Sequence, residues 1–280
     1  MIPIGVNPTS IGVASEWWLQ AARDCEQAGF AGVWSWDHFL SRGKKTDSVL
    51  ECWTTLTAAA AVTSRIKVGS FINNVMNRHP AVLARMLATL WDQSKGRVEL
   101  GIGVGGFAAE EASYGIHFPE PPVRVEILRE AVEVIRRLWT GGPVSYDGQH
   151  FQLKEAYAHP APEPPPRIIV GGEKPGGARL AAMVGDGWTT NGPDYERLLP
   201  IHLEALAANG RSRANVVHLV AVEIDRDIPL DKQPLIADMA GFAAEWQEKG
   251  ADELIVNWVR AADMPAVLEA AARAGLAASR

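Results

Sequence analysis

Short apolar runs alternating with amphipathic helical sequence constrain the fold of this chain more than any other feature. Ile2–Val6, Gly32–Trp36 and Ile66–Ile72 are too apolar for strands with one face in water, which places them in a sheet covered on both sides. Between them lie Ser15–Ala28, Leu56–Val62 and Pro80–Trp91. The first carries Trp18, Leu19, Ala22 and Cys25 at helical spacing, with Ser15 as candidate N-cap and Gly29 as stop. Pro80 suits a first helical turn. The second half repeats the pattern. Helices are expected at Val123–Trp139, Ala178–Val184, Tyr195–Asn209 and Met264–Ala274, and strands at Arg167–Val170, Gly187–Thr190, Val216–Ile224 and Glu253–Val256. About eight strand–helix units predict an α/β fold, a (β/α)8 barrel forming one domain over residues 1–280. No dinucleotide fingerprint of the open-sheet kind follows the first strand.

The regularity breaks once, in an insertion over about residues 107–166, between strands four and five of the barrel. Its Val144–Leu153 stretch reads as a hairpin around Asp147-Gly148, and the proline-rich Pro160–Pro166 as a semi-rigid connector. Just before it, Ser94–Glu111 joins a basic turn to a short strand that runs out into Gly101, Gly103, Gly105 and Gly106. Glycines there let backbone N–H groups approach a bound group. By itself the run reads equally as a cofactor cradle and as a strand end that turns the chain.

Composition narrows the function classes. A net charge of −6 without a dense Lys/Arg cluster argues against a nucleic-acid surface. Cys25 and Cys52 have neither metal nor disulfide spacing and read as buried thiols in a reducing compartment. The opening MIPIGVNP does not read as a signal peptide, and the apolar run Thr57–Val62 is too short to span a bilayer. A cytoplasmic protein acting on a small molecule, without membrane or nucleic-acid partners, is the expectation.

Barrel enzymes work at the C-terminal ends of their strands. That rule selects Asn7, Asp37-His38, Asn73-Asn74, Gly103–Gly106, Gly171–Glu173, Thr190-Asn191 and Asn257-Trp258. A ring so poor in carboxylates does not look like a metal site, and no paired-cysteine, H-x-H or H-E-x-x-H spacing occurs. There is no G-x-S-x-G elbow. His38 is the candidate proton donor or acceptor, and Asp37 orients a ligand, orients His38, or caps the following turn. His79 reads as a capping or packing residue, and His202 and His218 as structural. Trp17, Trp18, Trp91 and Trp139 read as helix packing, whereas Trp34, Trp36, Trp53 and Trp258 are candidates for an aromatic pocket, with core filling the equal alternative. Asn7, Trp36, Trp53, Asn191 and Trp258 are the expected substrate pocket.

Several motifs then run in a familiar order: Trp36-Asp37-His38-Phe39, Leu56–Val62 with Thr63-Ser64-Arg65-Ile66, and Gly69-Ser70 through Arg78-His79-Pro80. They continue with Gly96 through Gly103, Phe118-Pro119 with Arg124, Leu138-Trp139, Ile169–Gly172 and Gly185-Asp186-Gly187-Trp188. With these the chain resembles the bacterial luciferase-like superfamily of flavin barrels, closest to the branch that uses the deazaflavin coenzyme F420. That branch includes glucose-6-phosphate dehydrogenases, secondary alcohol dehydrogenases and methylenetetrahydromethanopterin reductases. The resemblance implies F420-dependent hydride transfer to or from a small organic substrate, either alcohol oxidation or reduction of an activated double bond. An FMN-dependent two-component monooxygenase and a non-catalytic F420-binding protein are the alternatives. It implies that Asp37 contacts the ring or its side chain and that His38 faces the reacting centre. A non-proline cis peptide at Phe71-Ile72 would back the ring, with Ser70 before it and Asn73 or Asn74 hydrogen-bonding nearby. Gly103, Val104, Gly105, Gly106, Val170, Gly171, Gly172 and Glu173 would hold the phosphate and side chain. A homodimer through Leu56–Val62 and Pro80–Trp91 is also implied. One departure stands out: Gly106 occupies the place of the acid/base Glu of the sugar-phosphate members, with Glu110 and Glu111 slightly later. His38 is thereby left without an obvious acid partner.

Overall fold

A computed structural model describes residues 1–279; Arg280, the last residue of the expected domain, lies outside the described residues. Eight strands close into a barrel: β1 (Ile4–Pro8), β2 (Gly32–Ser35), β3 (Lys67–Asn74), β4 (Val98–Gly103), β7 (Ile168–Gly171), β8 (Gly187–Asn191), β9 (Val217–Glu223) and β10 (Glu253–Val259). Every neighbouring pair is parallel, including β10 with β1 at the seam. The outer ring is formed by α1 (Ser15–Ala28), α2 (Cys52–Val62), α3 (Pro80–Ser94), α5 (Pro121–Leu138), α6 (Pro175–Val184), α7 (Gly192–Ala208), α9 (Met239–Glu248) and α10 (Met264–Arg273). Two short helices, α4 (Ala108–Ser113) and α8 (Pro234–Ala237), complete the set. The first half follows the apolar pattern closely. Ser15 is a correction: Ala14 takes the N-cap position without a side-chain bond, and the Ser15 hydroxyl donates to Glu16 instead.

The insertion carries the antiparallel hairpin β5 (Val144–Asp147) and β6 (Gln152–Ala156). It is pinned to α5 by Glu130, whose carboxylate accepts the turn amides of Gln149, His150 and Phe151. Burial alone would raise that carboxyl's pKa, but these bonds and the nearby His150 outweigh it and the net direction is down.

Side chains alternate between barrel interior and helix layer. The interior packs in tiers. At the N-terminal end Glu99 accepts from Lys67 at 2.6 Å and from Arg167 at 2.6 Å, and Arg167 also reaches Glu253 at 2.8 Å. Above this charged plug, Trp34, Phe71, Ile169, Leu219, Ala221 and Ile255 form an apolar cluster of their own. Trp34 therefore fills the barrel, which decides between its two readings, pocket or core, for the core. Its indole fits because two neighbouring strands offer no side chain there. A Cβ on Gly5 would stand 2.5 Å from Trp34 Nε1, and one on Gly69 would stand 2.4 Å from its Cζ3.

On the outer side of β8, Trp188 stacks between His202 and Tyr195, at ring separations of 4.5 and 5.5 Å. The Tyr195 hydroxyl meets His218 Nδ1 at 2.9 Å, and both imidazoles are fully buried. Burial first, then the charges of Arg213 and His202, push the His218 pKa down to about 2. His202 is also pushed down, chiefly by burial. His79 caps α3, its Nδ1 accepting the Ala81 amide at 3.2 Å. Cys25 and Cys52 are free thiols, and burial raises the pKa of both. No helix of the described residues is long and apolar enough to cross a membrane.

Gly69→Ala should lower the unfolding free energy by about 1–3 kcal/mol through overpacking against Trp34; a denaturant midpoint shift measures it, and an unchanged midpoint would show that the indole has room to move. Because the folded chain keeps His218 neutral, the unfolded chain takes up its proton first as pH falls below 6.5. The resulting stability is full above that value and lost at about 1.4 kcal/mol per unit below it. Denaturation at pH 7 and pH 5 should therefore differ by about 2 kcal/mol through His218 alone.

Candidate active site

The site is built on a buried ion pair. Asp37, just past β2, is almost fully buried. Arg78 binds both its carboxylate oxygens, at 2.7 and 2.9 Å. The Asn74 amide and the Asn77 side chain donate to the same carboxylate. Arg78 also reaches Asn73 Oδ1 and Glu51, the N-cap of α2. Burial alone would lower the Arg78 pKa, but the bonds and charge of Asp37 and the charge of Glu51 raise it on balance. The expected ligand contact of Asp37 thus meets a carboxylate already bonded to the chain on both oxygens. Its visible task is to fix the segment 73–78 that follows β3.

Just before that segment the peptide Phe71-Ile72 is cis, as the resemblance implies. The register between β3 and β4 shifts between Ser70 and Asn73. Ser70 is buried and donates to the Gly101 carbonyl at 2.8 Å. The Ile72 side chain reaches across β4 towards β7: a Cβ on Gly171 would stand 2.0 Å from its Cδ1. Asn73 Oδ1 accepts from Trp53 Nε1 at 2.8 Å, and Trp53 is buried behind it instead of lining the mouth.

His38 follows Asp37 at the rim, with its ring edge-on to Trp36 at 5.8 Å and to Phe107 at 6.4 Å. Its Nδ1 lies 3.2 Å from Glu110 Oε2. The same oxygen accepts the Phe39 and Leu40 amides at 3.1 Å each. Glu110 is 1% exposed. Burial alone would raise its pKa, but the bond and charge of His38 and the two amides outweigh it, so the carboxyl stays ionised below the usual range. His38 therefore has an acid partner, which corrects the expectation of none. Sequence reading passed over it because Glu110 sits four residues past Gly106, on the six-residue helix α4. An ionised Glu110 at Nδ1 fixes the N–H there and leaves Nε2 as the nitrogen that takes or gives a proton.

The glycine loop has directed carbonyls. Arg124, stacked 3.9 Å over Phe118, donates to the Val104 and Gly105 carbonyls at 2.9 and 2.8 Å. Among the described residues, the amides of Val104, Gly105, Gly106 and Phe107 donate to no group of the chain. Gly105 has φ +72 and packs so closely on Asn74 that a Cβ would stand 2.6 Å from Oδ1, whereas a Cβ on Gly106 would meet open space. Asn74 is braced in turn by Glu111 at 2.7 Å. Across the mouth, Gly171 ends β7 and Gly172 follows it, with Val170 buried below them and Glu173 exposed. The helix α6 then begins at Pro175 without a side-chain cap, so its first-turn N–H groups look outside the chain for acceptors.

On the other side of the mouth, Asn7 lies 2.9 Å from Asn257 Oδ1, and Trp36 Nε1 donates to the same atom at 3.3 Å. With the Asn7 amide turned over, its oxygen takes the Trp36 N–H and its nitrogen reaches the Trp34 carbonyl. Asn257 Nδ2 donates to Glu223 at 2.9 Å. Trp258 is 40% exposed and packs on Trp36 at 5.2 Å. Asn191 caps α7 through Asp194. The structure thus gathers Asn7, Trp36, His38 and Trp258 at the mouth, sets Trp53 behind it and uses Asn191 as a cap. Among the described residues no three His, Cys, Asp or Glu are grouped to hold a metal.

A closed parallel barrel with an imidazole after its second strand and a glycine loop after its fourth defines the class. The chain belongs to the luciferase-like monooxygenase family, whose model matches residues 11–227. It is 35% identical over 233 residues to an F420-dependent glucose-6-phosphate dehydrogenase of Microbacterium testaceum, covering 79% of this chain and 68% of the relative. It is 34% identical over 193 residues to an F420-dependent hydroxymycolic acid dehydrogenase of Mycobacterium tuberculosis, covering 68% of this chain and 53% of the relative. The fold superposes on an F420-dependent secondary alcohol dehydrogenase in complex with an F420-acetone adduct with a TM-score of 0.82 at 22% identity, covering 95% of this chain and 99% of that one.

Because the Asp37–Arg78 pair is buried, Asp37→Asn should cost about 3–5 kcal/mol by leaving an uncompensated guanidinium. Thermal unfolding measures the loss, and a change below about 1 kcal/mol would mean that Glu51 alone satisfies Arg78.

Proposed function

We propose that this chain is a coenzyme F420-dependent oxidoreductase that moves a hydride between the deazaflavin and a small organic substrate. The observation that carries the proposal is the pairing of His38 with Glu110 beside a loop of unbonded amides. The family and the F420-dependent relatives support the choice of cofactor.

The residues fit that cofactor. The Val104–Phe107 amides, turned free by Arg124, and the first turn of α6 offer N–H donors to a phosphate and a polar side chain. Ile72, over Gly171, offers an apolar floor for a flat ring. When bound, F420 supplies a two-electron hydride acceptor or donor at its ring carbon. The protein's part is protonic. In the oxidising direction His38 Nε2 takes the proton of the substrate hydroxyl, and the ionised Glu110 stabilises the imidazolium that forms. In the reducing direction His38 returns that proton to the substrate. This arrangement favours catalysis over binding alone, and it needs no acid at Gly106. The expected homodimer belongs to the same proposal, through the outer faces of α2 and α3, where Val82 is exposed.

Tryptophan fluorescence titration with F420 and, in parallel, with FMN tests the reading. Binding of F420 in preference to FMN is expected; preference for FMN would move the assignment to a monooxygenase. His38→Ala should retain F420 binding and lose about 10²–10⁴-fold in turnover. Equal turnover by this variant would remove His38 from the chemistry.

A further inference from the structure

If the chain binds F420 as proposed, the residues around His38 also select the substrate by charge and shape. Trp258, the one aromatic of β10, has φ +53, a left-handed backbone that bulky residues rarely adopt. That backbone goes with an exposed indole packed at 5.2 Å on Trp36, itself edge-on to His38. Two indoles beside the proton-carrying imidazole make an aromatic wall. Such a wall favours a flat apolar face.

The polar group beside the wall is a carboxylate. Leu219 and Ala221 belong to the interior cluster, so Glu223, two residues further along β9, stands on the same face at the mouth. Its Oε1 accepts from Asn257 Nδ2 at 2.9 Å, and among the described residues its Oε2 accepts no bond from the chain. A carboxylate oxygen without a donor seeks a hydroxyl or amine N–H and repels an anion. Two cations of the region are engaged by other carboxylates: Arg226 is paired with Asp263 at 2.6 Å, and Arg78 with Asp37 and Glu51. Arg260 lies over the Trp258 ring at 5.9 Å and Arg42 over Phe107 at 5.1 Å.

We infer that the substrate is an uncharged alcohol with a flat, unsaturated ring, the ring held by Trp36 and Trp258 and the hydroxyl at His38, and that phosphorylated sugars are excluded by the Glu223 carboxylate at the mouth. The inference rests on the F420-dependent reading of the site and separates this chain from the sugar-phosphate dehydrogenases among its relatives.

The test is a direct binding measurement on the F420-saturated protein with two probes, 1-phenylethanol and glucose 6-phosphate, by calorimetry, followed by steady-state kinetics. The native chain should bind 1-phenylethanol at least about 10-fold more tightly than glucose 6-phosphate, as repulsion of the phosphate by Glu223 predicts. Trp258→Ala should weaken 1-phenylethanol by about 10-fold and raise KM more than it lowers kcat. Glu223→Gln keeps the Asn257 contact but removes the charge, so it should narrow the preference over glucose 6-phosphate. Tighter binding of glucose 6-phosphate by the native chain, lost in Arg260→Ala, would overturn the inference, as would indifference of both probes to Trp258 and Glu223. Either of those results leaves F420 binding intact, whereas failure to bind F420 at all defeats the functional proposal itself.

Discussion

The pairing of Asp37 with Arg78 is the interaction on which the rest of the site depends. Two charges almost out of water are tolerated only with full hydrogen bonding, and here the bonding comes from three different elements. Asp37 lies just past β2, Arg78 closes the segment after β3, and Glu51 starts α2. Holding them together fixes Asn73, Asn74 and the cis peptide before them. It also sets His38, the next residue, at the rim. The pair thereby sets the positions of the other residues of the site.

Below it, the barrel interior is filled with side chains, so the mouth has a floor. A Lys67–Glu99–Arg167–Glu253 plug closes one end, and Trp34 occupies the space that Gly5 and Gly69 leave empty. An indole needs two bare backbones to fit, which is why Gly5 and Gly69 are packing residues while Gly106, after β4, is not. The two kinds look alike in sequence. They differ in what a Cβ would meet: Trp34 at Gly69, open space at Gly106.

The carboxylate beside His38 comes from a different place than in the sugar-phosphate pattern that the resemblance implies. The glycine at 106 leaves no carboxylate on the loop, but four residues later Glu110 turns back under His38 and the two amides after it. A carboxylate kept ionised by those donors orients an imidazole and balances its charge, leaving proton transfer to a single nitrogen. Glu111, its neighbour, faces Asn74 instead. Six residues of helix thus tie the loops after β2, β3 and β4 together.

Apolar periodicity by itself determined the barrel, because strands buried on both faces must alternate with covering helices whatever their partners. Glycine and proline punctuation located the hairpin on Asp147-Gly148 and the start of α3, and the strand-end rule located Asn7, His38, Asn257 and Trp258 at the mouth. The short α8 and the helix α9 escaped, lying in sequence with weak periodicity. Pairings across the fold were decided only in three dimensions. Asp37 with Arg78 spans 41 residues, His38 with Glu110 spans 72, and Asn7 with Asn257 spans 250. No local pattern encodes such contacts, since each depends on which strand ends the closed barrel brings side by side. For the same reason only the tertiary structure separated Trp34 and Trp53, buried in packing, from Trp36 and Trp258, which face the site.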